Sequence, residues 1–304
     1  MEWLSSLSCH AEPRTLTPYC PYADHDYPDA ETTREHIVPL SLGGVNGFDI
    51  AVHGKANSDI GSSIDAAMAE DFLVKTKRDR FDVRGHSGKE PVFVVKHVKN
   101  TDGLPLQVAL NQRSGLQVWS PRDSEYITDQ RAAKLELKFA VNIDTAMRFV
   151  AKVALSAGYF VYGELFRNNV KHSDFRAIMN FQSSHPNGHG GVEARIDDRF
   201  NENPSEEVQI FRALCKASEP YSIVGFAHSN NRFGIFVGVL GDYIGTIHVP
   251  AAMEAFPIDF EYEMGHVVQL QRPGFTRVSM KHTLESFLKA IEAANTNRET
   301  SAQP

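Results

Sequence analysis

The run Arg34-Glu35-His36-Ile37-Val38-Pro39 sets a carboxylate beside an imidazole, and Leu42-Gly43-Gly44 and then Asn57-Ser58-Asp59-Ile60-Gly61 follow it closely. A neutral imidazole, with a reference pKa of about 6.5, accepts a proton near neutral pH, so His36 is the candidate general base. Adjacent residues on a β-strand point to opposite faces. Glu35 and His36 therefore share one site directly only where the strand ends or distorts, which Pro39 and the glycine-bearing loop allow. In a chain with 13 histidines a Glu-His pair is expected by chance. What singles this pair out is the Ile-Val-Pro after it, the double glycine, and the Asn-x-x-x-Gly spacing.

The elements that must position these residues are legible as patterns. Thr32, Thr33, Ile37 and Val38 favour a strand, Gly43-Gly44 and Asn46-Gly47 supply turns, and Asp49-Ile50-Ala51-Val52-His53 gives a second strand. Ile60, Ile64, Ala67, Met68 and Leu73 then recur at helical intervals, with Asn57, Ser58 or Asp59 available as the cap. The expected unit is strand, loop, strand, helix. It is preceded by an irregular, Pro- and Tyr-rich segment up to residue 30 and closed by Gly85, Gly88 and Pro91.

Beyond Pro91 the pattern predicts a strand pair around Thr101-Asp102-Gly103 and an alternating strand over Leu135–Ile143. A helix capped by Asp144 should follow, with Met147, Val150, Val153, Ala154 and Ala157 on its apolar face and Gly158 as its stop. A second helix is expected over Ser205–Ala217, then a three-strand meander of SIVGFAH, RFGIFVGVL and YIGTIHV, and a closing helix marked by Leu284, Phe287, Leu288 and Ile291. The expected class is α+β, with a ββα unit over residues 1–91 (core 20–91) and a larger α+β domain with antiparallel strands over 92–304.

The glutamate-histidine run, the double glycine, the Asn57…Gly61 spacing with Ile64-Asp65, and Arg84-Gly85-His86-Ser87-Gly88 with Pro91 together resemble the HNH, or ββα-metal, endonuclease family. The likeness covers residues 20 to 91 and, more weakly, the helix near Lys152. It implies a metal-dependent hydrolase of DNA phosphodiesters that leaves 5′-phosphate and 3′-hydroxyl ends. In that chemistry a base takes the proton of the attacking water while positive charge offsets what develops on the phosphate. The resemblance makes His36 the base and Glu35 and Asn57 metal ligands, with Asp59 or His53 as a third. Such oxygen donors suit magnesium or manganese, acting as a Lewis acid. Relatives of this type serve in restriction, phage defence and mobile elements, which makes a defence effector, with protein partners in such a system, the expectation by analogy.

Alternatives stand beside these readings. Asn57 at such a position commonly only caps a helix, and Asp59 and Asp65 read more readily as solvated helix residues than as ligands. A degenerate HNH fold that binds nucleic acid or protein without chemistry is the alternative to a nuclease. Many relatives carry two CxxC pairs for a structural zinc. The matching positions here are Cys20-Pro21-Tyr22-Ala23 and His53-Gly54-Lys55-Ala56, so Cys20 and His53 are remnants and no structural zinc is expected.

The formal net charge of −7 by itself argues against a nucleic-acid partner, since phosphate contacts are made by Lys and Arg. Locally, however, Lys75, Lys77, Arg78, Arg80, Arg84 and Lys89 stand against only Asp79 and Asp82. With Arg34 they are the candidate DNA contacts, unless the run is an exposed helix neutralised by ion pairs. His185-Pro-Asn-Gly-His189 reads as a surface loop. Cys9, Cys20 and Cys215 are odd in number and widely spaced, which implies no disulfide framework and fits a reducing, cytoplasmic compartment, with Cys215 an inert thiol on an apolar helix face. No stretch reaches the roughly 18 apolar residues of a membrane span, and a composition 42% hydrophobic and 23% charged is that of a globular chain.

Overall fold

Ile50 and Val52 are buried while Asp49, Ala51 and His53 between them are not, the period-two signature of a strand with one face on a core. In the computed structural model, which describes residues 17–100, 103–111, 113–127, 135, 141–181, 191–229, 231–256, 262 and 264–289, this strand belongs to an N-terminal ribbon. Two short strands, β1 (Tyr19–Cys20) and β2 (His25–Asp26), pair first. The hairpin β3 (Thr32–His36) and β4 (Asp49–His53) follows, in antiparallel register from Thr32 opposite His53 to His36 opposite Asp49.

The helix after the hairpin differs from expectation at both ends. It starts as α1 (Gly54–Ile60) directly from β4, with His53 at its cap position, so Asn57 lies inside the helix and caps nothing. The apolar repeat of Ile60, Ile64 and Met68 marks the buried face but carries no information on where the first turn forms. The helix then widens into a π turn over Gly61–Asp65, resumes as α2 (Ala66–Glu70) and breaks at Asp71. The Asp71 side chain accepts the Val74 N–H and so starts α3 (Phe72–Arg80).

Strands β5 (Phe93–Lys99), β6 (Pro105–Asn111), β7 (Gly115–Ser120) and β8 (Glu125–Tyr126) form a separate antiparallel sheet. It has its own small core of Val98, Leu106, Val108, Val118 and Ile127.

The expected Leu135–Ile143 strand falls mostly outside the described residues, as do Thr101-Asp102, Cys9 and the His185–His189 loop. Ile143 itself is the first residue of α4 (Ile143–Tyr162). The cap is Asn142, whose side chain accepts the Thr145 N–H at 3.0 Å; Asp144 sits in the first turn instead. Nor does Gly158 stop the helix. It makes room for the ring of Phe166, since a Cβ there would lie 2.3 Å from a ring carbon, and α4 runs on until Gly163 turns to positive φ.

Two short helices, α5 (Glu164–Asn169) and α6 (Ser173–Met179), lead to β9 (Arg195–Asp198) and α7 (Glu206–Ala217), the last capped by Ser205. The meander β10 (Ser222–Ser229), β11 (Arg232–Val239) and β12 (Asp242–Pro250) forms as expected. With β13 (Gly265–Gln271) and β14 (Gly274–Ser279) it builds a six-stranded antiparallel sheet in the order β14-β13-β10-β11-β12-β9. Residues 280–289 form the closing helix.

Helices cover both faces of this sheet, which is why its central strands are buried almost without interruption. Val224 and Phe226 pack toward α4, and Ile223 and Ala227 pack with Phe211 and Leu214 of α7. The mixed α and β architecture with antiparallel sheets is thus as the sequence implied. One core nevertheless unites Ile37, Phe48 and Val52 of the hairpin region with α4 and with Val224, Ile235 and Ile247 of the sheet. Apolar packing therefore runs straight across residue 91, and the hairpin-helix unit has no core separate from α4.

Candidate functional site

Strand β3 ends at His36, and the segment after it turns back through Pro39. Gly44 is obligatory in this turn, because a Cβ there would lie 1.7 Å from the Val38 carbonyl oxygen. Gly43 adopts φ of 81° and lets the loop dock on the sheet, where the Ser222 hydroxyl donates to the Leu42 carbonyl at 2.7 Å. The loop returns through Val45 and Asn46 to β4. The imidazole N–H of His36 at Nε2 faces the Asn46 side-chain carbonyl at 3.2 Å, and the His86 ring meets His36 edge-on at 5.5 Å between centroids. With Nε2 donating, the lone pair of His36 sits on Nδ1. Arg34, two residues earlier on the same strand face, pairs with Asp49, the residue opposite His36.

Glu35 projects to the other face. Its carboxylate is buried, and the Lys152 ammonium of α4 lies 2.5 Å from Oε1. Lys152 has no exposed surface and also donates to the carbonyls of His36 at 3.0 Å and Ile37 at 3.1 Å, and to Asp65 Oδ2 at 3.2 Å. Burial pushes the Asp65 carboxyl up to about 6; Lys152 opposes the shift and the neighbouring Glu35 charge adds to it. Burial lowers Lys152, but the Asp65 and Glu35 carboxylates outweigh it and hold the ammonium well above the usual lysine range.

Asn57 lies over β3. Its side-chain N–H groups donate to Thr33 Oγ1 at 2.9 Å and to the Arg34 carbonyl at 3.4 Å, tying α1 to the strand. The amide oxygen is thereby left on the other side, with no hydrogen bond among the described residues. Asp59 pairs with Lys55 on the exposed face of α1, and His53 stacks on Tyr27 at 4.2 Å. Cys20 is fully buried on β1.

The structure therefore separates the residues that the sequence placed at one metal. His36 faces solvent with Arg34, Asn46 and His86 near it, whereas Glu35 is turned to the core and neutralised by Lys152. Glu35 and Asn57 do not fit a divalent cation held between them while the ammonium occupies the carboxylate. Among the described residues no three His, Cys, Asp or Glu side chains are grouped to hold a metal.

The basic run is largely engaged by acidic partners. Lys77 pairs with Glu219 at 3.4 Å and Asp242 at 3.1 Å, Arg80 pairs with Glu219, and Lys75 pairs with Glu70. Arg78 is buried and donates to the Ala69 carbonyl, and Arg84 binds Asp82 and Glu90. The Lys77 and Arg80 pairs dock α3 against Glu219 and the start of β12. Lys89 is exposed and makes no ion pair among the described residues.

Two residues of this constellation escaped the motif reading. Asn46 was legible only as half of a turn dipeptide. Lys152 carried one signal, a cation among the apolar residues of α4, which is the mark of a buried charge that must have a partner. No family model, no curated protein and no solved structure matches the chain.

Proposed function

We propose that the chain is an endonuclease of the HNH type, with His36 the base that activates water at a DNA phosphodiester. The observation that carries this reading is the His36 imidazole at the end of a two-stranded ribbon, on its open face and oriented through Nε2 by Asn46. In such a site Nδ1 takes the proton of the water as its oxygen attacks phosphorus. The bond from phosphorus to the 3′ oxygen breaks and that oxygen takes a proton from solvent, leaving a 5′-phosphate and a 3′-hydroxyl. The Arg34 guanidinium, on the same face, is the nearest cation on the strand to offset charge developing on the phosphoryl oxygens. Asn57 keeps the helix fixed against the backbone of Arg34.

A second reading, a module that binds nucleic acid or protein and does no chemistry, is favoured by one observation. The Lys152 ammonium neutralises the carboxylate that a metal-dependent site would use. A plasmid assay separates the two. The purified protein is incubated with supercoiled DNA in magnesium, in manganese and in chelator, beside His36→Ala. Nicking or linearisation that His36→Ala abolishes supports the nuclease. Intact plasmid under every ion, together with retarded migration on a gel, establishes the binding module. Intact plasmid without retardation removes nucleic acid as the partner.

A further inference from the structure

Lys152 lies in the middle of α4 and is closed off from solvent, yet four oxygens surround its ammonium. They are Glu35 Oε1 at 2.5 Å, the carbonyls of His36 and Ile37 at 3.0 and 3.1 Å, and Asp65 Oδ2 at 3.2 Å. An ammonium carries three hydrogens, so it cannot give all four a separate hydrogen bond. Two carboxylates and two backbone carbonyls converging on one positive centre are the donors of a hard-cation site. They come from the end of β3 and the residue after it and from the π turn, and the ammonium comes from α4, so the cation joins the hairpin, its helix and the central helix. The Tyr22 hydroxyl, buried in the same neighbourhood, has no hydrogen-bond partner among the described residues.

We propose that Lys152 is the resident cation of this fold: its ammonium stands where a divalent ion would sit between Glu35, Asp65 and the His36–Ile37 carbonyls, and its removal turns those oxygens into a divalent-ion site. One positive charge faces two carboxylates, which leaves a negative excess that a divalent ion would balance. In the native chain the ammonium excludes such an ion by charge and by volume. It also pins the backbone of His36 through the carbonyl, so Lys152 is a positioning residue for the imidazole as well. Glu35 is then no ligand for any ion that cleavage uses. The inference goes beyond the nuclease reading and holds whether or not His36 does chemistry.

The test reads ion binding without cleavage. Terbium and manganese are titrated into the wild type, Glu35→Gln, Lys152→Ala and Lys152→Ala combined with Glu35→Gln. Tyr22 serves as the sensitiser for terbium emission, and calorimetry follows manganese. The expected result is that Lys152→Ala gains one site of at least tenfold higher affinity than any in the wild type and that adding Glu35→Gln removes it. Wild type and Glu35→Gln should bind alike. A folded Lys152→Ala that gains no site overturns the proposal. So does a wild-type site that Glu35→Gln abolishes, a comparison that needs no Lys152 variant.

Discussion

Lys152→Met keeps the aliphatic stem in α4 and deletes the ammonium, and the structure sets what that should cost. Two carboxyl groups, Glu35 and Asp65, remain buried with no cation between them. The variant has two ways to respond. It can keep a buried, unpaired charge, for which breaking one side of a buried pair costs about 3–5 kcal/mol. Alternatively a carboxyl can protonate, at about 1.4 kcal/mol for each pH unit above a solution pKa near 4, or about 5.6 kcal/mol per group at pH 8 and about 1.4 kcal/mol at pH 5. At pH 8 the first route is at least as cheap, so a loss of about 3–5 kcal/mol is expected. At pH 5 Asp65 already holds its proton in the wild type, its carboxyl being pushed up to about 6. The loss should then shrink to about 1–2 kcal/mol, mostly the hydrogen bonds to the His36 and Ile37 carbonyls. Urea denaturation followed by circular dichroism at pH 5, 6.5 and 8 measures it. A loss under about 1 kcal/mol at pH 8, or one equal at pH 5 and pH 8, would refute the buried triad as drawn.

Other consequences are as concrete. If the nuclease reading holds, His36→Ala should lower cleavage by about 10²–10⁴-fold with folding intact, and Asn46→Ala should lower it without moving the melting temperature; equal rates for wild type and Asn46→Ala would dismiss the orienting role. Burial, with Arg277 adding to it, lowers His228 to about 4, so this group stabilises the fold above its unfolded pKa of 6.5. That contribution, about 3 kcal/mol, is lost as pH falls from 6.5 through 4; His228→Phe should flatten the acid limb of the stability curve, and an unaltered limb excludes this histidine as its cause. Gly44→Ala, whose Cβ would strike the Val38 carbonyl, should cost about 2 kcal/mol or more in denaturant melts; a neutral change shows that the loop adapts. Lys89→Ala should reduce the salt slope of DNA binding by about 0.9, whereas Lys77→Ala, removed from its pairs with Glu219 and Asp242, should act mainly on stability.

Taken by itself, the sequence determined whatever depends on local period and local turn chemistry. The alternation in Asp49–His53, the helical repeat from Ile60 to Met68, the helix ending at Ala217 and the meander strands are properties of neighbours a few residues apart, and all of them formed. Where helices begin and end was less legible. Asn142 rather than Asp144 caps α4, and Gly158 yields to Phe166 instead of ending the helix, because a residue's best role depends on what packs against it.

The site followed the same division. Adjacent Glu35 and His36 were visible as a pair, but only the fold decided that they serve opposite faces of β3. His36 is aimed outward by Asn46, ten residues away, while Glu35 is claimed by Lys152, more than a hundred residues later. Likewise the charge of residues 75–89 was plain in the sequence, whereas its neutralisation by Glu219 and Asp242 was not. Side-chain type states which partners a group accepts. Which partner it meets is set by long-range packing, here the burial of α4 against both the hairpin and the six-stranded sheet. Desolvation then makes that choice binding, since a buried charge cannot be left without its counterpart.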